Sequence, residues 1–155
     1  MKTIIFFTLL AAIIATLPGC NKNNNNKQQP NTPGKQRFTV ITDGITREYY
    51  VHVPAAYNPE ITIPVVFMLH GSGGNGEKFY NISGWKELGE DENFITVFPS
   101  SLSWCFVEDG VEKNNTRWVN GNVTDYPCSG PPQNYADDVK FLKVLAKRIA
   151  DTFPV

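Results

Sequence analysis

Apolar and polar residues alternate from Phe38 to Asp43 (FTVITD) and again from Arg47 to Pro54 (REYYVHVP). A period of two predicts strands with one buried face, and Asp43-Gly44 between them predicts a tight hairpin turn. Tyr49, Val51 and Val53 share one face of the second strand. The proline-rich stretch PAAYNPEITIP then suits a loop and no central strand. Pro64 to Leu69 (PVVFML) is apolar on both faces, the pattern of a buried strand in a parallel sheet. From Gly76 to Glu90 the apolar residues Phe79, Ile82, Trp85 and Leu88 recur every three positions and predict a helix, which Gly84 weakens. Phe94 to Phe98 (FITVF) predicts a second buried strand, ended by Pro99. The clearest helix is NYADDVKFLKVLAKRIADTF, with Asp137 or Asp138 as its cap and Phe141, Leu142, Leu145 and Ile149 as its buried stripe. Lys140, Lys143, Lys147 and Arg148 read as its solvated face.

The predicted order is hairpin, strand, helix, strand, long loop, helix. Strand-helix-strand units specify parallel pairing with right-handed crossovers, so the fold class expected is α/β. The last helix is a crossover with no strand after it.

The first third of the chain follows other rules. Residues 1–20 (MKTIIFFTLLAAIIATLPGC) place Lys2 before a nearly continuous apolar run from Ile4 to Leu17. That run has the shape of a secretory signal and is short for a membrane span. Leu17-Pro18-Gly19-Cys20 resembles a bacterial lipobox, in which the cysteine is lipidated and the chain cut before it; the alternative is a plain signal peptide with an incidental cysteine. Residues 1–19 are therefore expected to be a lipoprotein signal. Residues 20–36, beginning with lipidated Cys20 and continuing NKNNNNKQQPNTPGKQ, are expected to form a disordered tether. The domain would occupy residues 37–155, exported and held to the cell envelope by a lipid anchor, or secreted. The formal net charge of −1 gives no basic footprint for nucleic acid.

With Cys20 set aside, Cys105 and Cys128 remain. Export implies an oxidising compartment, and the two bracket the Asn-, Gly- and Asp-rich stretch FVEDGVEKNNTRWVNGNVTDYP. A disulfide there would brace a loop otherwise unusually long for a compact domain; the alternative is two free thiols. Asn81, Asn114 and Asn122 begin N-x-[ST] triplets, which would matter only in a eukaryotic source. No His, Cys and carboxylate cluster has the spacing of a metal site, and no cofactor is indicated.

The candidate chemistry lies in His70-Gly71-Ser72-Gly73-Gly74-Asn75-Gly76. A phosphate loop would need lysine where Glu77 stands. Gly71, Gly73 and Gly76 match the bare dinucleotide spacing, but the next strand ends in Phe98-Pro99-Ser100 without the carboxylate a ribose requires. Acyl transfer offers a better use. It places negative charge on a carbonyl oxygen, and a preorganised N–H donor there is worth about 3–4 kcal/mol. Glycines let backbone amides approach that oxygen closely.

Four segments carry a resemblance in order: REYYVHVPAAY, IPVVFMLHGSGGNGEKF, GWKELGEDENFITVFPS and NYADDVKFLKVLAKRIADTF. Together they resemble the amino-terminal half of polyhydroxybutyrate depolymerase-like and feruloyl esterase-like secreted esterases. The resemblance covers about residues 37–155. It implies an incomplete α/β-hydrolase fold, serine ester hydrolysis, and polymer or plant-wall esters as substrates of the complete protein. It also implies that the Ser72 N–H is an oxyanion donor and that Gly71 and Gly73 shape the turn.

The resemblance also implies a nucleophile in a G-x-S-x-G elbow, and these 155 residues contain none. Ser72, Ser83, Ser100, Ser101, Ser103 and Ser129 all lack that frame. His52 and His70 are the only histidines, and both read as structural. No catalytic triad can be assembled, so the expectation is an amino-terminal fragment, inactive as given and of marginal stability, with the edge beside Pro64–Leu69 unpaired. The alternative reading is a non-enzymatic surface lipoprotein whose Trp104, Trp118 and Tyr126 bind glycan.

Overall fold

The computed structural model describes residues 32–119, 128–130 and 135–155. The signal segment, Cys20, residues 21–31, Asn122 and Tyr126 lie outside the described residues.

Strand β1 (Gly34–Thr42) and strand β2 (Ile45–Val53) pair antiparallel from Gly34↔Val53 to Thr42↔Ile45. Asp43 and Gly44 both have positive φ (51° and 76°), the requirement of a type I′ hairpin turn. β1 begins at Gly34, four residues before the expected strand, inside the stretch read as tether. Strand β3 (Val65–Phe67) leads through the glycine turn to helix α1 (Gly76–Ile82), then to helix α2 (Trp85–Glu92) and strand β4 (Ile95–Pro99). The four strands form one sheet in the order β1-β2-β4-β3, antiparallel except for the β3–β4 pair.

Alternation along β2 and β4 sorts their side chains to two faces. Tyr49, Val51, Val53, Ile95 and Val97 lie on one, under Phe141, Leu145 and Ile149 of helix α3 (Asp138–Ala150). Tyr50 and Phe98 lie on the other, under Tyr80, Phe79 and Trp85 of α1 and α2. The strongly apolar stripe of α3 therefore covers the larger core. Asp137 is its cap, accepting the Lys140 N–H at 2.9 Å, while Asp138 turns inward.

The sequence-based fold class is corrected at three places. The described residues are mostly β, with six strands in two sheets and 37% strand against 25% helix, and they show no clear α/β-hydrolase pattern. First, the stretch read as a long loop holds strands β5 (Leu102–Glu108) and β6 (Val111–Arg117), a separate two-stranded antiparallel sheet. Asp109 and Gly110, at φ 52° and 75°, repeat the turn chemistry of Asp43-Gly44. Second, the single helix expected over 76–90 is two short ones, because Gly84 takes φ 75° between them. Ile82 and Leu88, expected to be buried, are 68% and 41% exposed. Third, β3 is a half-buried three-residue edge strand, so the expected pair of buried parallel strands reduces to β4 alone. The outer edge of β3 is unpaired among the described residues, as the sequence suggested.

Candidate functional site

The turn after β3 starts from a buried histidine. His70 Nε2 accepts the Ser101 N–H at 3.0 Å, so the ring proton sits on Nδ1, which donates to the Gly71 carbonyl at 2.7 Å. Both ring nitrogens are occupied, and the Trp118 ring lies 4.9 Å from the imidazole. His70 is a fixed post for the turn.

Gly71 to Gly74 then form a β-turn closed by the Gly74 N–H to the Gly71 carbonyl, 3.1 Å. Gly73 sits at its third position with φ 77°, the left-handed conformation a type II turn requires there. Space around Gly73 is limited as well, since a side chain would meet Asn115 Oδ1 at 3.2 Å. Two amides of the turn are engaged: Gly74 with Gly71, and Gly73 with the Thr116 carbonyl at 3.1 Å. The N–H groups of Gly71 and Ser72 have no partner among the described residues. Gly71, Ser72 and Gly73 are all exposed. The turn and Lys78, Phe79 and Ile82 line a cleft of about 210 Å³. Gly71 and Ser72, with amides unpaired among the described residues, thus line this cleft together with Lys78, which has no ion-pair partner among the described residues, and with the apolar Phe79 and Ile82. Such a site can hold an oxygen that gains negative charge beside an apolar group.

The residues that follow pin the turn to the sheet. Asn75 caps α1 by accepting the Lys78 N–H at 2.8 Å, and the Gly76 N–H donates to Ser100 Oγ at 2.9 Å. Gly76 is required for space: a Cβ there would lie 2.2 Å from the Phe98 carbonyl oxygen.

His52, the second histidine, joins a chain absent from the sequence reading, buried at His52 and Tyr80 and part-exposed at Glu90. Tyr80 Oη donates to its Nδ1 at 2.9 Å, and its Nε2 donates to Glu90 Oε1 at 2.7 Å. Glu90 Oε2 in turn accepts the Ala55 N–H. Carboxylate, imidazole and hydroxyl in line resemble a nucleophile relay, but Tyr80 is only 6% exposed. Burial first, then the charges of Glu87 and Glu90, push its hydroxyl up to about 12, the reverse of activation. The chain clamps α1 and α2 onto β2.

Cys105 and Cys128 form the disulfide expected from their spacing. Glu112 completes a group with them in which the potential ligand atoms lie within 4.8 Å. A disulfide sulfur is not a thiolate, so with the bridge closed this group offers a cation one carboxylate. Trp104 packs 5.1 Å from the Tyr135 ring, and Trp118 donates its Nε1–H to the His70 carbonyl at 2.8 Å. These two aromatics are thus engaged in contacts within the fold. A second cleft, about 240 Å³, lies between β1, β2 and the end of α3, lined by Phe38, Tyr49, Arg148, Thr152 and Phe153.

No family model matches this chain, and no curated protein matches it.

Proposed function

We propose that this chain carries the oxyanion-binding part of a serine carboxylic-ester hydrolase, with nucleophile, acid and base supplied by polypeptide outside these 155 residues. The observation that carries the proposal is the division of amides in the turn. Gly73 and Gly74 are tied up, whereas the amides of Gly71 and Ser72 have no partner among the described residues, and both residues line a cleft. Two unpaired N–H groups on a rigid turn are what a developing alkoxide needs, and they cost no reorganisation at the moment of reaction. The function rests on this turn and not on the fold class. The substrates are esters of polymer or plant-wall type. The protein is exported and held at the bacterial envelope through Cys20; the closed Cys105–Cys128 bridge supports an oxidising compartment.

Two variants test it. Ser72 occupies the second position of the turn, where proline is readily accepted, so Ser72→Pro removes the N–H with little change of backbone. Ser72→Ala removes the hydroxyl and keeps the N–H. Both variants lose the bond from Asn115 Nδ2 to Ser72 Oγ, so the N–H is isolated by comparing them: in a chain extended along its reading frame past codon 155, hydrolysis of p-nitrophenyl butyrate should be about 100- to 1,000-fold slower in Ser72→Pro than in Ser72→Ala. The 155-residue chain alone should be inactive. Enzyme-like turnover by that chain, or equal activity of the two variants, would overturn the proposal.

A further inference from the structure

We propose that the β5–β6 hairpin is the positioning element of the 70–74 turn and that Thr116 is the residue through which it acts. This rests on the reading of that turn as an oxyanion holder.

The four-stranded sheet and the residues just after β4 hold the turn at its two ends, through the Met68 N–H to the Val97 carbonyl at 2.8 Å, the Ser101 N–H to His70 Nε2 at 3.0 Å and the Gly76 N–H to Ser100 Oγ at 2.9 Å. Between those ends, the hairpin side supplies the restraint. The Thr116 carbonyl accepts the Gly73 N–H at 3.1 Å, and Thr116 Oγ1 donates to the Gly74 carbonyl at 2.6 Å. Asn115 Nδ2 donates to Ser72 Oγ at 3.0 Å, and Trp118 Nε1 donates to the His70 carbonyl at 2.8 Å. Thr116 alone holds the Gly73-Gly74 pair at both ends, by the Gly73 N–H and the Gly74 carbonyl. It also decides which amides remain for a ligand: with the Gly73 N–H taken, those of Gly71 and Ser72 are left.

A two-stranded hairpin is marginal by itself in water. This one is braced from outside by the Cys105–Cys128 bridge and by Trp104 and Phe106 against Tyr135, all of which tie β5 to later chain. Cys105 stands opposite Asn114, and Ser103 stands opposite Thr116, so the bridge acts two residues along from the grip. Covalent restraint of β5 thereby reaches the turn through one ladder.

Amide hydrogen exchange on the 155-residue chain tests this. Thr116→Val keeps the carbonyl and the branched shape but deletes the hydroxyl donor; Thr116→Ser restores the donor. Exchange of the Gly73 N–H should rise about five- to tenfold in Thr116→Val and return toward wild type in Thr116→Ser. Amides of Val51 and Val97 in the central strands should stay within about twofold. Reducing the bridge with excess dithiol should move Gly73 in the same direction. That reaction passes two electrons and two protons to the cystine, giving two thiols and the oxidised cyclic dithiol. Unchanged Gly73 exchange in Thr116→Val, equal effects of Val and Ser, or an equal rise in the central strands would each overturn the proposal. None of these outcomes bears on Ser72→Pro, which leaves the Thr116–Gly73 bond in place, so the two proposals fail separately.

Discussion

Arg47 Nη2 lies 2.6 Å from Asp138 Oδ1, with side chains 1% and 4% exposed, so β2 and α3 are joined by a charge pair inside the core. Each partner has further bonds. Arg47 donates to the Ser100 carbonyl at 3.0 Å and stacks 4.0 Å above the Phe141 ring; Asp138 Oδ2 accepts the Val119 N–H at 2.7 Å. Removing one member leaves a buried charge alone, which typically costs about 3–5 kcal/mol.

Arg47→Met and Asp138→Asn should therefore each lower unfolding free energy by about 3–5 kcal/mol in urea titrations. The double variant contains neither charge and should lose less than the sum of the two. Strict additivity would show that the pair is not coupled.

Stability should fall at alkaline pH, and Tyr80 should account for part of the fall. Its hydroxyl titrates near 12 in the fold, above the usual phenol value of about 10. The fold therefore prefers the protonated phenol. That preference contributes in full below pH ~10 and is lost as pH rises through about 12. Tyr49, Tyr50 and Tyr57 are raised as well, mainly by burial, so Tyr80→Phe should flatten the slope without abolishing it. An unchanged slope between pH 10 and 12 in Tyr80→Phe would contradict the assignment. The same variant leaves His52 Nδ1 without its donor and should cost about 1–3 kcal/mol at neutral pH.

Gly76→Ala places a methyl group against the Phe98 carbonyl oxygen, backbone that cannot swing away. The start of α1 must then lift off β4. A loss of at least about 2 kcal/mol is expected in thermal unfolding, far beyond a helix-propensity effect, which by itself would favour alanine. A neutral or stabilising outcome would mean that α1 docks less closely than the structure has it.

Replacing Cys105 and Cys128 together by alanine opens a loop of sequence separation 23. Loop entropy predicts a loss of about 3 kcal/mol. The melting temperature should drop on reduction of the wild type and stay constant on reduction of the double variant.

Much of the local structure was legible in the chain. Period-two alternation placed Tyr49, Val51 and Val53 on one face, and Asp43-Gly44 marked its turn. The β5–β6 hairpin went unread although Asp109-Gly110 carries the same signal, because VEKNNTR is polar on both faces and offers no alternation to flank the turn. In the fold it faces mostly water, which is why its pattern is silent. Arg47 has the same parity as Tyr49 and was on the buried face all along; its charge concealed this, since an arginine is buried only where a partner exists, and the partner is 91 positions away.

Sequence by itself determined what depends on neighbours along the chain: turn types, caps, the stripe of α3 and the glycines that let the 70–74 turn form. Tertiary structure decided what depends on distant backbone: the mostly-β architecture, the Arg47–Asp138 pair, and which amides of the turn are free. Hydrophobic periodicity is a property of one segment, whereas a hydrogen bond from Gly73 to Thr116 exists only once two segments 43 residues apart have met.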